Sequence, residues 1–265
     1  MCPQRSPPRK TVVCTQPVWD LAGVDAADPA LVRTWLEYHL DVLGLDHIQM
    51  YDVDGSWGPR LQPFVDEGRV SYVPSLDRVL QPRVPFLDCP MCHYLLGQTH
   101  CLFEHSSAEW MVHLHFVDSF LVPDAWDPET GAPRVPLSVA LDNLTAQNCH
   151  AAVVATYEFR PGAGVPGGGV LANHTLRPTL GDGVGIFHSI ADTDVYSHGP
   201  MREEWGKARD VRFSVGVVEG WQMNHYTYLF ARSFIDPAQQ AREQSNSIVD
   251  TILLDRLKPH LERAF

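Results

Sequence analysis

The chain has little that would take it into a membrane or onto a nucleic acid. No run in its 265 residues approaches the roughly 18 apolar residues needed to cross a bilayer as a helix, and mean hydropathy is slightly negative. Positive charge is scarce, with 20 Lys and Arg against 32 Asp and Glu. That balance argues against a DNA or RNA backbone as the main partner, because such binding needs a cationic surface. Repeats, low-complexity tracts and clear linkers are also lacking, so residues 11–265 are expected to form a single domain. The opening MCPQRSPPRK is basic and proline-rich with no apolar run behind it. Residues 1–10 therefore read as a disordered tail, neither a complete signal peptide nor an anchor. A targeting segment, if the protein works in a secretory compartment, is expected to lie outside this sequence.

What is present is an ordinary globular composition, 45% hydrophobic, arranged in alternating strand and helix patterns. Thr11-Val12-Val13-Cys14 reads as a short buried strand ending at Thr15-Gln16-Pro17. Asp28-Pro29-Ala30 opens a helix whose apolar positions Leu31, Trp35, Leu36, Leu40 and Leu43 recur at helical spacing, with Gly44 as its stop. His47-Ile48-Gln49-Met50-Tyr51 is the next strand, followed by the turn Asp52-Val53-Asp54-Gly55-Ser56. A second helix over residues 61–68 and a strand over 69–73 complete the pattern. Such alternation predicts an α/β fold with a mostly parallel, doubly wound sheet flanked by helices. Ligands of such sheets bind beyond the carboxyl ends of the strands, which points to Thr15, Gln16, Asp52 and Asp54. Asp54-Gly55 is equally the pattern of an Asx turn, which needs no ligand.

Further along, residues 94–104 read as helical, and Trp110 to Val117 as a central strand ending at Asp118. A carboxylate there must be paired, metal-bound or solvated. A helix is expected over residues 137–143, strands over 153–159 and 211–218, and a helix from about Pro237 onward.

Six cysteines are present: Cys2, Cys14, Cys89, Cys92, Cys101 and Cys149. Cys89-Pro90-Met91-Cys92-His93 has the C-x-x-C-H form of a c-type haem attachment, but the rest of the chain is unlike a cytochrome. A structural zinc site at Cys89 and Cys92 with Cys101, His93, His100 or His105 is one reading; disulfides or free thiols are the others. His113 and His115 form an H-x-H pair, a feature of metal-dependent hydrolases and oxygenases that gives, with Asp118, one alternative function. Two tripeptides, Asn143-Leu144-Thr145 and Asn173-His174-Thr175, fit the N-glycosylation pattern, a common chance match that leans toward a lumenal site.

Several of these pieces, in this order, resemble the family 92 glycosyltransferases, enzymes of the GT-A fold. Trp35-Leu36-Glu37-Tyr38-His39 followed by Gly44, His47 and Tyr51-Asp52 is similar to that family's "EWIEYH…G…H…YD" opening. Cys14-Thr15-Gln16-Pro17 resembles the strand end before it, and Gln98-Thr99-His100-Cys101-Leu102 the short "Q…DC" element. Residues 110–123 are similar to "W…DVDEFL.P", Tyr157-Glu158-Phe159 to "W..FG.SG", Lys207 and Arg212 to "K…RP", and Asn224-His225-Tyr226 to "NHY". The likeness spans about residues 11–236. Its main departure is at the metal motif: where the family has three acids, this chain has Phe116, Asp118 and Ser119.

The resemblance implies transfer of a hexose, with galactose the first choice, from a UDP-sugar to a glycan hydroxyl, with inversion. Asp118, His225 and His115 would then hold Mn²⁺ or Mg²⁺ on the donor diphosphate, and Lys207 and Arg212 would offset its charge. Thr15, Gln16, Asp52 and Asp54 would contact the nucleoside, and Glu158 is the candidate base for the acceptor hydroxyl. A net charge of -12 leaves room for such a donor, because only local neutralisation of two phosphates is needed. The resemblance also implies the Golgi lumen or another secretory compartment, with the cytoplasm as the alternative. A catalytically degenerate nucleotide- or glycan-binding protein is the other functional alternative.

Overall fold

The computed structural model describes residues 10–75, 90–114, 117–149, 151–158, 176–178, 182–188, 195–196, 199–200, 215–225 and 247–249. The first half follows the alternation of the sequence: β1 (Thr11–Thr15), α1 (Leu21–Ala27), α2 (Leu31–Glu37), β2 (His47–Tyr51), α3 (Gly58–Asp66) and β3 (Val70–Val73). Next come α4 (Pro90–Glu104), β4 (Trp110–Leu114), β5 (Ser119–Pro123), α5 (Leu137–Ala146) and β6 (Ala151–Glu158). The remaining described strands are β7 (Leu176–Pro178), β8 (Asp182–His188), β9 (Val195–Tyr196), β10 (Gly199–Pro200), β11 (Val215–His225) and β12 (Ser247–Val249).

Among the described residues the main sheet has eight strands in the order β3-β2-β1-β4-β8-β6-β11-β5. The half β3-β2-β1-β4 is parallel throughout. Beyond it β8 runs antiparallel to β4 and β6, β11 parallel to β6, and β5 antiparallel to β11. The expected α/β class with a mostly parallel four-strand core and flanking helices is therefore present.

Alternation along the strands explains the two faces. Val13, Ile48, Met50, Trp110, Val112 and Leu114 join the large apolar core beneath α1, α2, α3 and α5. The alternate residues Val12, Cys14, Tyr51 and Met111 turn to the other face and pack with Cys101 and Leu102 of α4. Gly97 permits this approach, since a Cβ there would sit 3.2 Å from the Tyr51 ring. A Cys14–Cys101 disulfide fastens α4 to β1.

The second face is also polar. His105 Nε2 lies 3.0 Å from Gln49 Oε1, His47 Nε2 lies 2.8 Å from Ser71 Oγ, and Gln98 Nε2 lies 2.6 Å from His113 Nε2. The histidines and glutamines of these pairs are buried and need one another, or Ser71, as partners.

Three expectations are corrected by the fold. Asp118 does not end the strand that starts at Trp110: β4 stops at Leu114, and Asp118 stands immediately before a separate strand, β5, at the far edge of the sheet. The helix expected from Pro237 onward is not continuous, because β12 pairs with β7. Lys10 does not belong to a loose tail. Its carbonyl accepts from the Glu109 and Trp110 N–H groups, and its ammonium pairs with Asp142 at 2.8 Å.

Candidate functional site

The helix that opens at Leu31 does more than fill the core. After α2 the chain widens into a π turn, with the Leu43 N–H returning to Tyr38 O at 2.9 Å, and Gly44 at φ +69 ends the run. Trp35, Tyr38 and His39 are buried on this segment. All three reach the main chain of β5. Trp35 Nε1 donates to Ser119 O at 2.7 Å, the Tyr38 hydroxyl donates to Leu121 O at 2.6 Å, and the Leu121 N–H donates to His39 Nε2 at 3.4 Å. An edge strand normally presents unpaired polar groups; here three are satisfied by side chains. The Phe120 ring packs against both Tyr38 and His39, 5.5 and 5.6 Å from their ring centres.

The tautomer of His39 follows from these contacts. Nε2 accepts, so Nδ1 carries the proton and donates to Trp35 O at 2.8 Å. Burial pushes the imidazole down to about 3, against the opposing effect of the Trp35 carbonyl. His39 is thus a neutral structural clasp.

The clasped strand begins at the residue after Asp118. Register then sets Ser119 opposite His225 on β11, and His225 opposite Glu158 on β6. Three neighbouring strands therefore bring positions 119, 225 and 158 side by side. These are the carboxyl ends of β6 and β11 and the start of the oppositely directed β5. Thr15 and Leu114, paired at the carboxyl ends of β1 and β4, lie on the same edge of the sheet. Asp118 follows Leu114 by four residues, which limits their Cα separation to roughly 14 Å. Glu158 and His225 are described here by backbone position only. Lys207, Arg212 and His115 lie outside the described residues.

Asp118 is buried, 3% exposed, with Ser119 Oγ 3.4 Å from its Oδ1. A carboxylate oxygen is the donor type that Mg²⁺ or Mn²⁺ selects. Among the described residues no group of three His, Cys, Asp or Glu side chains gathers around it. Asn224, one residue from His225, is buried too, and its Oδ1 accepts from Gln222 Nε2 at 2.8 Å.

The β1 and β2 tips differ from expectation. Thr15 is fully buried, its hydroxyl 3.4 Å from Gln49 O, so its side chain serves the sheet. Gln16 continues the ladder by donating its N–H to Leu114 O at 3.1 Å, and its side chain makes no hydrogen bond with the described residues. Asp52 is an organiser of its own loop. Oδ1 accepts from the Asp54 and Gly55 N–H groups at 3.1 and 3.0 Å, and Oδ2 from the Trp57 N–H at 2.9 Å and the Tyr72 hydroxyl at 2.6 Å. Four donors fill a carboxylate's acceptor capacity, which leaves Asp52 no lone pair for a ribose. Burial raises its pKa, and the donors work against that rise.

Asp54 is exposed and takes one N–H on each oxygen, from Asp20 at 2.9 Å and Ser56 at 3.0 Å. Burial opposes its ionisation, but the donors from Ser56 and Asp20 outweigh it and hold the carboxyl below its usual range. The Tyr72 hydroxyl had no signal in the sequence, because its partner comes from another strand.

The proposed ligand sets of α4 also change. Cys101 is bonded to Cys14, His100 Nδ1 meets the Tyr51 hydroxyl at 3.0 Å, and His105 meets Gln49. The disulfide removes Cys101 from a zinc site with Cys92, while His100 and His105 each have one ring nitrogen engaged by these partners; the Cys92 side chain, like Cys89, lies outside what is described. His113 Nε2 lies 2.6 Å from Gln98 Nε2 beneath α4, so one ring nitrogen of this expected metal ligand is engaged by Gln98. No helix among the described residues is long and apolar enough to cross a membrane. No known family model matches the chain, and no curated protein matches it either.

Proposed function

We propose that the chain is a metal-assisted glycosyltransferase of GT-A type, which moves a hexose from a UDP-sugar to a glycan hydroxyl in a secretory compartment. The observation that carries this reading is the register that sets Ser119, His225 and Glu158 side by side, with Asp118 adjoining them. It supports a site at the carboxyl edge of the sheet, where α/β folds bind ligands.

The reaction needs a proton acceptor for the glycan hydroxyl and a setting that tolerates charge on the departing diphosphate. Glu158, at the carboxyl end of β6, is the carboxylate this reading assigns to the first task. Asp118 would supply an oxygen ligand for Mn²⁺ or Mg²⁺, and His225 and His115 would supply nitrogen ligands that Mn²⁺ tolerates. When bound, the ion offsets charge on the leaving diphosphate; Lys207 and Arg212 share that role. Gln16, whose side chain bonds to none of the described residues, and the exposed Asp54 are the nucleoside contacts this reading retains. The Cys14–Cys101 disulfide supports the secretory location, because such bonds persist in oxidising compartments.

The test is incubation with UDP-hexoses, Mn²⁺ and free glycan acceptors, followed by detection of released UDP and extended glycan. Absence of both turnover and thermal stabilisation by UDP would overturn the reading. One observation favours a second reading, a nucleotide-binding protein without catalysis: Phe116 stands where the resemblance places the first metal-binding acid. That reading predicts UDP binding that ignores Mn²⁺ and yields no transfer.

A further inference from the structure

We infer that Asn143 carries an N-linked glycan whose first sugar lies over Val139, a modification that rests on the secretory location above and not on the transfer chemistry. The tripeptide Asn143-Leu144-Thr145 meets the acceptor pattern, with Leu and not Pro at its centre. On α5 the residues Leu137, Ala140, Leu141 and Leu144 are buried at helical spacing against the core. Asn143 is on the opposite, exposed side with Asp142, so a branched polar group there meets solvent.

Val139 adds a second observation. It is one of the few large apolar side chains left open among the described residues, 45% exposed. It precedes Asn143 by four residues and is therefore its neighbour one turn back on the helix surface. Side chains on a helix lean toward the preceding turn. A sugar attached to Asn143 is thus carried over Val139, and the apolar face of the ring shields it from water.

The folded chain also sets the order of events. Thr145 Oγ1 donates to Leu141 O at 3.2 Å and accepts from Trp110 Nε1 at 3.1 Å. The hydroxyl that the acceptor pattern requires is occupied once α5 has packed on β4. Attachment therefore precedes folding, while the tripeptide is extended. The donor is a lipid-diphosphate-linked oligosaccharide. A bond forms between Asn143 Nδ2 and the anomeric carbon, the bond from that carbon to the diphosphate oxygen breaks with its electron pair leaving on the lipid diphosphate, and the amide gives up one proton to a base of the transferring enzyme. The same oxidising compartment that closes Cys14–Cys101 holds such donors.

The experiment is peptide mapping of the full chain purified from its own cells, unreduced, before and after amidase release of N-glycans in heavy-oxygen water. The expected result is a Cys14–Cys101 cross-linked peptide together with conversion of Asn143 to labelled Asp. A cross-linked chain with unmodified Asn143 would overturn the proposal, and so would an Asn143 peptide without glycan in a chain lacking the cross-link. Release of the glycan from the folded chain should also increase binding of an apolar dye, and Val139→Ser should abolish that increase. Occupied Asn143 in a chain that ignores UDP-sugars would leave this inference standing and defeat the transferase reading.

Discussion

The Leu121 N–H on the edge strand donates to Nε2 of the buried His39, 3.4 Å away, and the ring donates its own N–H to Trp35 O. One imidazole thus joins a helix turn to the strand that starts beside Asp118. This requires His39 to stay neutral.

The pH dependence follows with a definite sign. The folded imidazole titrates near 3, against about 6.5 in the unfolded chain. Between those values the unfolded chain binds the extra proton, so this contribution to stability is full above pH 6.5 and falls as pH drops toward 3. Unfolding free energies from denaturant titrations should fall more steeply in the parent than in His39→Gln between about pH 6 and about pH 4, by roughly 1 kcal/mol per pH unit. Equal slopes in the two proteins would contradict the clasp. His39→Ala, which leaves the Leu121 N–H without its partner, should cost about 1–3 kcal/mol.

Asp52→Asn separates loop organisation from nucleoside binding. An amide nitrogen in place of one oxygen turns a donor toward donors from Trp57 and Tyr72 or from Asp54 and Gly55. Stability should fall by about 1–3 kcal/mol. UDP affinity of the folded fraction, measured by calorimetry, should stay within about twofold of the parent, because the carboxylate has no lone pair to offer a ribose.

The Cys14–Cys101 bond closes a loop of sequence separation 87. Chain-entropy reasoning gives a contribution of about 4–5 kcal/mol, an upper value because unfolded chains retain some structure. Chemical denaturation with and without reductant should show this loss in the parent. The double variant Cys14→Ala/Cys101→Ala should be insensitive to reductant.

Gly97→Ala probes the contact of α4 with the sheet. Its Cβ would meet the Tyr51 ring at 3.2 Å, so the ring or the helix must shift. Overpacking costs about 1–3 kcal/mol and the helix propensity gained on replacing this glycine offsets about 1 kcal/mol of it, so a net loss of up to about 2 kcal/mol is expected by thermal unfolding.

Much of the first half is legible in the sequence because each strand is short, apolar and followed by turn residues. His47–Tyr51 has the bounds its pattern predicts, and Gly44, a stop by sequence, has the positive φ that a stop uses. β5 is hidden for a physical reason: residues 110–123 form a nearly continuous apolar stretch, and a turn there is marked by few polar residues. The role of Asp52 is hidden because one of its four donors, the Tyr72 hydroxyl, arrives from a neighbouring strand. The Cys14–Cys101 pairing depends on α4 crossing β1, which spacing alone does not determine. Trp35 reads as an apolar helix position, and its grip on β5, with those of Tyr38 and His39, required the fold itself.

The most direct measurement is calorimetric titration of UDP into the parent chain and Asp118→Asn, each with and without Mn²⁺. A carboxylate that helps hold the cation on the diphosphate predicts that Mn²⁺ strengthens UDP binding by about tenfold or more in the parent and has little effect in the variant, with both chains folded. UDP binding that is equal in all four titrations, or absent from all, would contradict a metal-assisted site at the sheet edge beside Asp118.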